Sequence, residues 1–216
     1  MTVPRHDTAT RILDEASHLF ATQGFAATST REIADAVGIQ QPGLYKHFAS
    51  KDAILLALFE DVYAYPMSVA NALSTIDAPA SARLYRFLDE TARHVCRSPF
   101  AVASLLRTPE ARLPQFGQVR RATRKSDAFV ADLVDAAIAQ GDFRPVRRES
   151  APRLLFGLID ALASFAHPSP TKADVDELLE FALHGLVRDR RRIEVIRRLA
   201  GTLDVGPRPA LAVRPW

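Results

Sequence analysis

Apolar residues recur at helical spacing from the start of the chain. Ile12, Leu13, Ala16, Leu19 and Phe20 fall at i, i+1, i+4, i+7 and i+8, one stripe of an amphipathic helix, and Gly24 ends it. Ser29-Thr30-Arg31-Glu32 then reads as a capping box, in which the serine hydroxyl accepts the Glu32 backbone N–H while the carboxylate reaches back. Ile33, Ala34 and Val37 give the following helix its buried face, and Gly38 sits where a left-handed C′ residue belongs. A third short helix is expected over 41–48, with Leu44 and Phe48 inward at i and i+4. Ile54, Leu55, Leu58, Phe59 and Val62 mark a longer helix, which Pro66 is expected to kink or interrupt. Further helices are expected over 80–97, 100–107 and 117–140, the last stopped by Gly141. The stretch 153–165 is apolar nearly all round, so it must be buried in a core or an interface. His167-Pro168-Ser169-Pro170 is a loop. Helices over 172–188 and 190–200 follow, the first with Asp174, Asp176 and Glu177 in its opening turn, where acids suit the helix dipole. The pattern predicts an all-α protein.

Composition agrees. Alanine and leucine number 59, against 24 for isoleucine and valine, an excess of helix formers over β-branched residues. With 48% hydrophobic and 25% charged residues, the 216-residue chain is too apolar to be disordered. The one cysteine, Cys96, leaves no internal disulfide and no cysteine-cluster metal site, and reads as a small buried hydrophobe. The six histidines form no ligand-spaced pair, so no metal and no cofactor are expected. No uninterrupted apolar run approaches the ~18 residues of a membrane span, and the first residues lack a signal-peptide core. The expectation is a soluble, cytoplasmic protein without a membrane partner. The formal charge of +3 is misplaced for a simple nucleic-acid argument. Residues 1–51 carry five bases and five acids, whereas 189–216 hold seven arginines and three acids.

Placed residues say more. Two short helices joined by Gly38-Ile39-Gln40, behind a supporting first helix, make a helix-turn-helix pattern, which presents its second helix to a DNA major groove. Helix pairs of this kind also occur in ordinary bundles. Phe20-Ala21-Thr22-Gln23-Gly24-Phe25, Thr28-Ser29, Ile33-Ala34, Ala36-Val37-Gly38-Ile39, Leu44-Tyr45-Lys46-His47-Phe48 and Lys51 together resemble the DNA-binding domain of the TetR family of bacterial regulators. The resemblance implies a DNA-binding domain over 1–50, a helical effector-binding and dimerisation domain over 51–188, and a basic tail over 189–216. Within it, Ser29, Tyr45, His47 and Lys51 match positions that contact phosphates, Gln40, Gln41, Pro42, Gly43 and Lys46 match positions facing base edges, and Thr28 completes the expected DNA-binding set. Hydroxyls and a lysine at helix starts suit phosphate, and a glutamine amide suits adenine. Gln40 is a weaker N-cap than the serine or threonine common there, and Gly43 costs a helix ~1 kcal/mol relative to alanine.

The resemblance further implies a ligand-responsive repressor, a homodimer on a palindromic operator, released by a small-molecule effector. An activator or an effector-independent regulator would use the same DNA site. Candidate effector contacts are Tyr63, Phe87, His94, Phe100, Arg107, Phe129 and Phe156, with Tyr65 and Phe116 as further aromatics. Candidate dimer contacts are Leu154, Gly157, Leu158, Ala161, Phe165, Leu179, Leu183 and Leu186. No nucleophile elbow, phosphate loop or zinc motif points to an enzyme. A helical adaptor using the arginine-rich tail is the remaining class. That tail is expected to pack through Ile193, Val195, Ile196 and Leu199.

Overall fold

The computed structural model describes residues 7–97, 113–164 and 170–207. The described chain is helical, without strands, and divides into two compact units. The first holds the residues up to Val62 together with 113–120; the second holds 63–97 and the described residues from Arg121 onward. The helix expected over 100–107, and with it Phe100 and Arg107, lies outside the described residues, as does Phe165.

The first unit is built on α1 (Thr8–Gln23), α2 (Thr30–Val37) and α3 (Gln41–Tyr45). Ile12, Ala16 and Phe20 form the buried stripe of α1, and Phe20 meets Phe25 edge-on at 5.0 Å between ring centroids. The capping box of α2 forms as the sequence predicts. Glu32 N–H donates to Ser29 Oγ at 3.2 Å, and Ser29 N–H donates to Glu32 Oε2 at 2.7 Å. Gly38 closes the helix at φ 76°, left-handed, its N–H reaching back to Ala34 and Asp35. Helix α3 is shorter than the expected 41–48. After Tyr45 the chain tightens, with the His47 and Phe48 N–H groups both reaching the Leu44 carbonyl at 2.9 and 3.0 Å. Gln40 is its N-cap and makes no side-chain capping bond, as its residue type foretold.

Helix α4 (Lys51–Thr75) begins in this unit with Ile54, Leu55, Leu58, Phe59 and Val62 buried. Phe59 packs edge-on against Phe116, at 5.6 Å, from the 3₁₀ turn Pro114–Phe116. Phe116 is therefore part of the core of the first unit. The helix runs through Pro66 instead of breaking there. Proline removes one N–H, while the buried stripe on either side of it, Leu58 and Val62 before and Val69 and Leu73 after, keeps the helix in place. By length and composition α4 is apolar enough to cross a membrane, although Glu60 and Asp61 interrupt it and about half of its apolar stretch (53%) is buried in protein.

The second unit is organised around α5 (Ala80–Arg97), which packs against α7 (Ser150–Ser164), α8 (Lys172–Leu186) and α9 (Arg192–Gly201). The remaining helix, α6 (Gly117–Ala139), adds Val130, Leu133, Val134 and Ala137 to the same core. Helix α8 opens with a second capping box that the sequence reading missed, Thr171 with Asp174 in place of the more familiar glutamate. Ile193 and Ile196 of α9 are buried, as expected, with Val195 and Leu199 half-buried. Arg192, itself exposed, reaches a buried acid from the start of that helix. Its guanidinium donates to Asp142 Oδ1 at 2.6 and 3.1 Å, while Ser81 Oγ donates to Oδ2 at 2.5 Å. Asp142 is 6% exposed, so this is a buried carboxylate satisfied from two distant segments. A single bridge between Phe143 and Val187 flanks it.

Candidate nucleic-acid interface

Leu44 is fully buried and pins α3 to the helix-turn-helix part of the first unit, the head, so the rest of that short helix must face outward. Gln40, Pro42, Tyr45, Lys46 and His47 are exposed, and Gln41 and Gly43 are half-buried. Tyr45 keeps 47% of its surface open, unusual for a ring of that size. A Cβ added to Gly43 meets only Ile39, at 3.9–4.0 Å, which is ordinary contact. The protein's own packing therefore does not demand glycine there. Tyr45 and Gln41 converge on Thr30, at the start of α2. Gln41 Nε2 donates to Thr30 Oγ1 at 3.0 Å, and Tyr45 Oη lies 3.2 Å from the same hydroxyl. Thr30 was not among the residues singled out from the sequence. Its signal was its place at the N-terminus of α2, beside the capping serine.

Three of the residues expected at the DNA also hold the fold together. Thr28 is 1% exposed and donates its hydroxyl to the Gly24 carbonyl at 2.9 Å, so it serves the α1–α2 turn. Ser29 caps α2 through Glu32, holding the Glu32 carboxyl below its ordinary range through the side-chain and backbone bonds. Lys51 donates to the carbonyls of Phe25 at 2.6 Å, Thr28 at 2.7 Å and Ala26 at 3.4 Å, with its ammonium 4.4 Å from the centre of the Phe25 ring. An ammonium has three protons, and these carbonyls take them. The α1–α2 loop offers carbonyls here because it is not helical, and α4 starts within reach. Arg11 does the same for α2, donating to the Val37 carbonyl.

In the second unit, Phe87 is fully buried, edge-on to Phe129 at 5.0 Å and Phe156 at 6.3 Å. These three expected effector contacts are one aromatic cluster of the core. Tyr63 shares a hydrogen bond with Thr123 at 2.8 Å, and burial raises its phenol pKa, as do the nearby Asp160 and Asp127 carboxylates. His94 is 3% exposed and stacks, tilted, on Tyr65 at 5.2 Å. Tyr65 donates to Glu90 at 2.6 Å, and Arg86 pairs with the same carboxylate at 3.0 Å. Glu90, 1% exposed, is the buried acid that the sequence reading passed over. Its only trace was its i, i+4 relation to Arg86 and His94. Burial pushes the Cys96 thiol up to about 12, so it stays protonated and inert, in keeping with the hydrophobe expected.

The expected dimer contacts separate by face. Leu179, Leu183 and Leu186 are 1%, 4% and 8% exposed, inside the core of their own unit, and are not available to another subunit. The reading took the inward stripe of α8. The outward stripe carries Phe181, 68% exposed, with Leu178 and Gly185 beside it. On α7, Leu154 is 67% exposed, and Gly157, Leu158 and Ala161 are half-buried.

Residues 12–58 match the family model described as bacterial regulatory proteins, tetR family. Two curated relatives are HTH-type transcriptional repressors named KstR2. That of Rhodococcus jostii is 44% identical over 71 residues, 31% of this chain and 35% of that protein. That of Mycolicibacterium smegmatis is 27% identical over 143 residues, 62% of this chain and 66% of that protein. The chain thus spans between one third and two thirds of these relatives' lengths. AibR, solved with isovaleryl coenzyme A and operator DNA, shares the fold, with a TM-score of 0.65 at 20% identity over 84% of this chain and 98% of that one. The crystal structure of Mycobacterium smegmatis AmtR is 31% identical, covers 92% of this chain and 95% of that one, and superposes with a TM-score of 0.81. Identity of that level over nearly the whole of both chains, together with the matched helix-turn-helix, places this chain in the tetR family of bacterial regulatory proteins.

Proposed function

We propose that the chain is a homodimeric transcriptional repressor that binds a palindromic DNA operator through α2 and α3 and is released by a small-molecule effector. The observation that carries this reading is α3 itself. A five-residue helix held by one buried leucine leaves Gln40, Pro42, Tyr45, Lys46 and His47 open, a polar ridge narrow enough to enter a major groove. In this reading residues 1–50 meet the DNA. Tyr45 and His47 contact phosphates, while Gln41 and Lys46 face base edges. Lys51, with its protons taken by carbonyls, anchors the head to the start of α4 instead of meeting a phosphate.

Residues 51–188 carry effector binding and dimerisation, and 189–216 form a basic tail. Leu154 and Phe181 are large apolar side chains left open on α7 and α8, which suits a second copy of the same surface. Tyr63 and the Phe87, Phe129 and Phe156 cluster supply an aromatic interior for an effector. KstR2 is a repressor, and AibR takes both an acyl coenzyme A and operator DNA. An effector that prefers the DNA-incompetent arrangement is sufficient for release. No catalytic step is assigned.

Selection of duplexes from a genomic library by the full-length protein tests the reading. An inverted repeat with half-site centres about 10 base pairs apart is expected, one turn of DNA for one two-fold dimer. Leu154→Arg and Phe181→Arg should sediment as folded monomers with operator affinity lost. Enrichment of no sequence overturns DNA recognition, and retention of the dimer in both variants moves the interface elsewhere.

A further inference from the structure

The hydrogen bonds joining α2 to α3 have a direction. Thr30 Oγ1 has one proton and two lone pairs. Gln41 Nε2 supplies a proton to it at 3.0 Å, and Tyr45 Oη, 3.2 Å away, is the second partner. If Tyr45 donated to Thr30, the threonine proton would be left without an acceptor once DNA displaced water from this face. If Thr30 donates to Tyr45, every group is used, and the tyrosine proton points away from the protein. Gln41 and Tyr45 stand at i and i+4 on α3, so both ends of this chain of bonds emerge on one face.

We propose that Thr30 is the positioning residue of the DNA face, fixing Gln41 as a presenter of its carbonyl oxygen and Tyr45 as a proton donor to a phosphate. The proposal rests on the DNA-binding reading above and adds a specificity to it. With one amide N–H held by Thr30, Gln41 turns Oε1 to the major groove and keeps its second N–H beside it, the pairing that suits an adenine edge. Only adenine N6 and cytosine N4 present amino groups there. Turning the amide over to face guanine or thymine would set Oε1 against Thr30. The threonine proton would then have to serve Gln41, and Tyr45 would keep its bond to Thr30 only by donating into it, leaving no tyrosine proton for a phosphate. One hydroxyl thus couples the base preference of Gln41 to the phosphate contact of Tyr45, and donors linked in series strengthen one another.

The test uses the full-length protein and a duplex it selects from a random pool. Gln41→Ala identifies the base pair that Gln41 reads. Inverting that pair should weaken wild-type binding about tenfold, the scale of one bidentate base contact. Removing the amino group alone, with purine for adenine or pyrimidin-2-one for cytosine, should do the same. Thr30→Val, nearly isosteric, should cut the discrimination at that pair to about twofold or less, and Thr30→Ser should restore it. Tyr45→Phe should weaken wild-type binding several-fold yet change little in the Thr30→Val background. A selected duplex whose inversion at that pair is still resisted by Thr30→Val, or one indifferent to loss of the amino group in the wild type, overturns the role of Thr30 and leaves DNA binding standing. The amino-group test needs no variant, so a Thr30→Val protein that failed to fold would not shield the proposal. Enrichment of no sequence overturns the DNA-binding reading, and this proposal with it.

Discussion

In the head, Arg11 and Lys51 direct their N–H groups to main-chain carbonyls, whereas in the helical unit Arg86 and Arg192 close on carboxylates that the fold has buried. The head fixes loops and helix ends, and leaves its remaining polar side chains facing out. The helical unit brings charge into its interior and must neutralise it there. Glu90 and Asp142 are 1% and 6% exposed, and a buried carboxylate that loses its cation is costly. The head therefore tolerates polar substitution on its open face, and the helical unit does not tolerate loss of a partner.

Arg86→Met should give the largest effect. It removes a cation from a buried acid and should lower stability by about 3 kcal/mol in urea titration. Arg86→Met with Glu90→Gln should recover most of that loss. If the single variant is as stable as the wild type, the contrast between the units fails. Lys51→Met comes next. Uncapping the α1–α2 loop should cost about 1–2 kcal/mol, the range for bonds from a charged donor that is partly exposed. Operator affinity should fall at every salt concentration with the salt slope unchanged. A slope reduced by about one phosphate contact would return Lys51 to the DNA backbone.

The smallest effects are in the pH response, where the two units should differ in sign. Glu32 is held below its ordinary value of 4.5 by its bonds to Ser29. Its contribution is present above that value and lost as the pH falls through the folded one. Asp127 is raised above its ordinary value of 3.8 by burial, with the nearby Arg153 charge opposing. Its cost is absent below 3.8 and complete only above the raised folded value. Denaturation midpoints should therefore fall in Glu32→Gln and rise in Asp127→Asn at pH 7, and both differences should shrink on acidification toward pH 3. Equal signs for the two variants would remove the distinction.

What could be read from the sequence was local. The stripe of α1, the Ser29–Glu32 box and the Gly38 stop each involve residues within one or two turns, so periodicity and capping chemistry disclose them. The outward face of α3 was legible for the same reason, because Leu44 fixes its phase. Lys51 was not, since the carbonyls it caps lie 23 to 26 residues away. Pro66 does not interrupt α4, because whether a proline breaks a helix depends on the packing on both sides of it. The phase of α8 was lost because apolar residues occupy both its stripes, Leu179 and Leu183 inward and Phe181 outward. Glu90 and Asp142 carry no local sign of burial, and only the assembled core shows that they are buried.

The Asp142 site also bears on the order in which the protein is made. Its carboxylate is bonded by Ser81, 61 residues before it, and by Arg192, 50 residues after it. On the ribosome Asp142 emerges well before the arginine that neutralises it, and burying it early would strand a charge. The caps of the head close within 26 residues. The head can form while the rest of the chain is still being synthesised. The helical unit must wait for α9, because Asp142 is neutralised only once Arg192 has emerged.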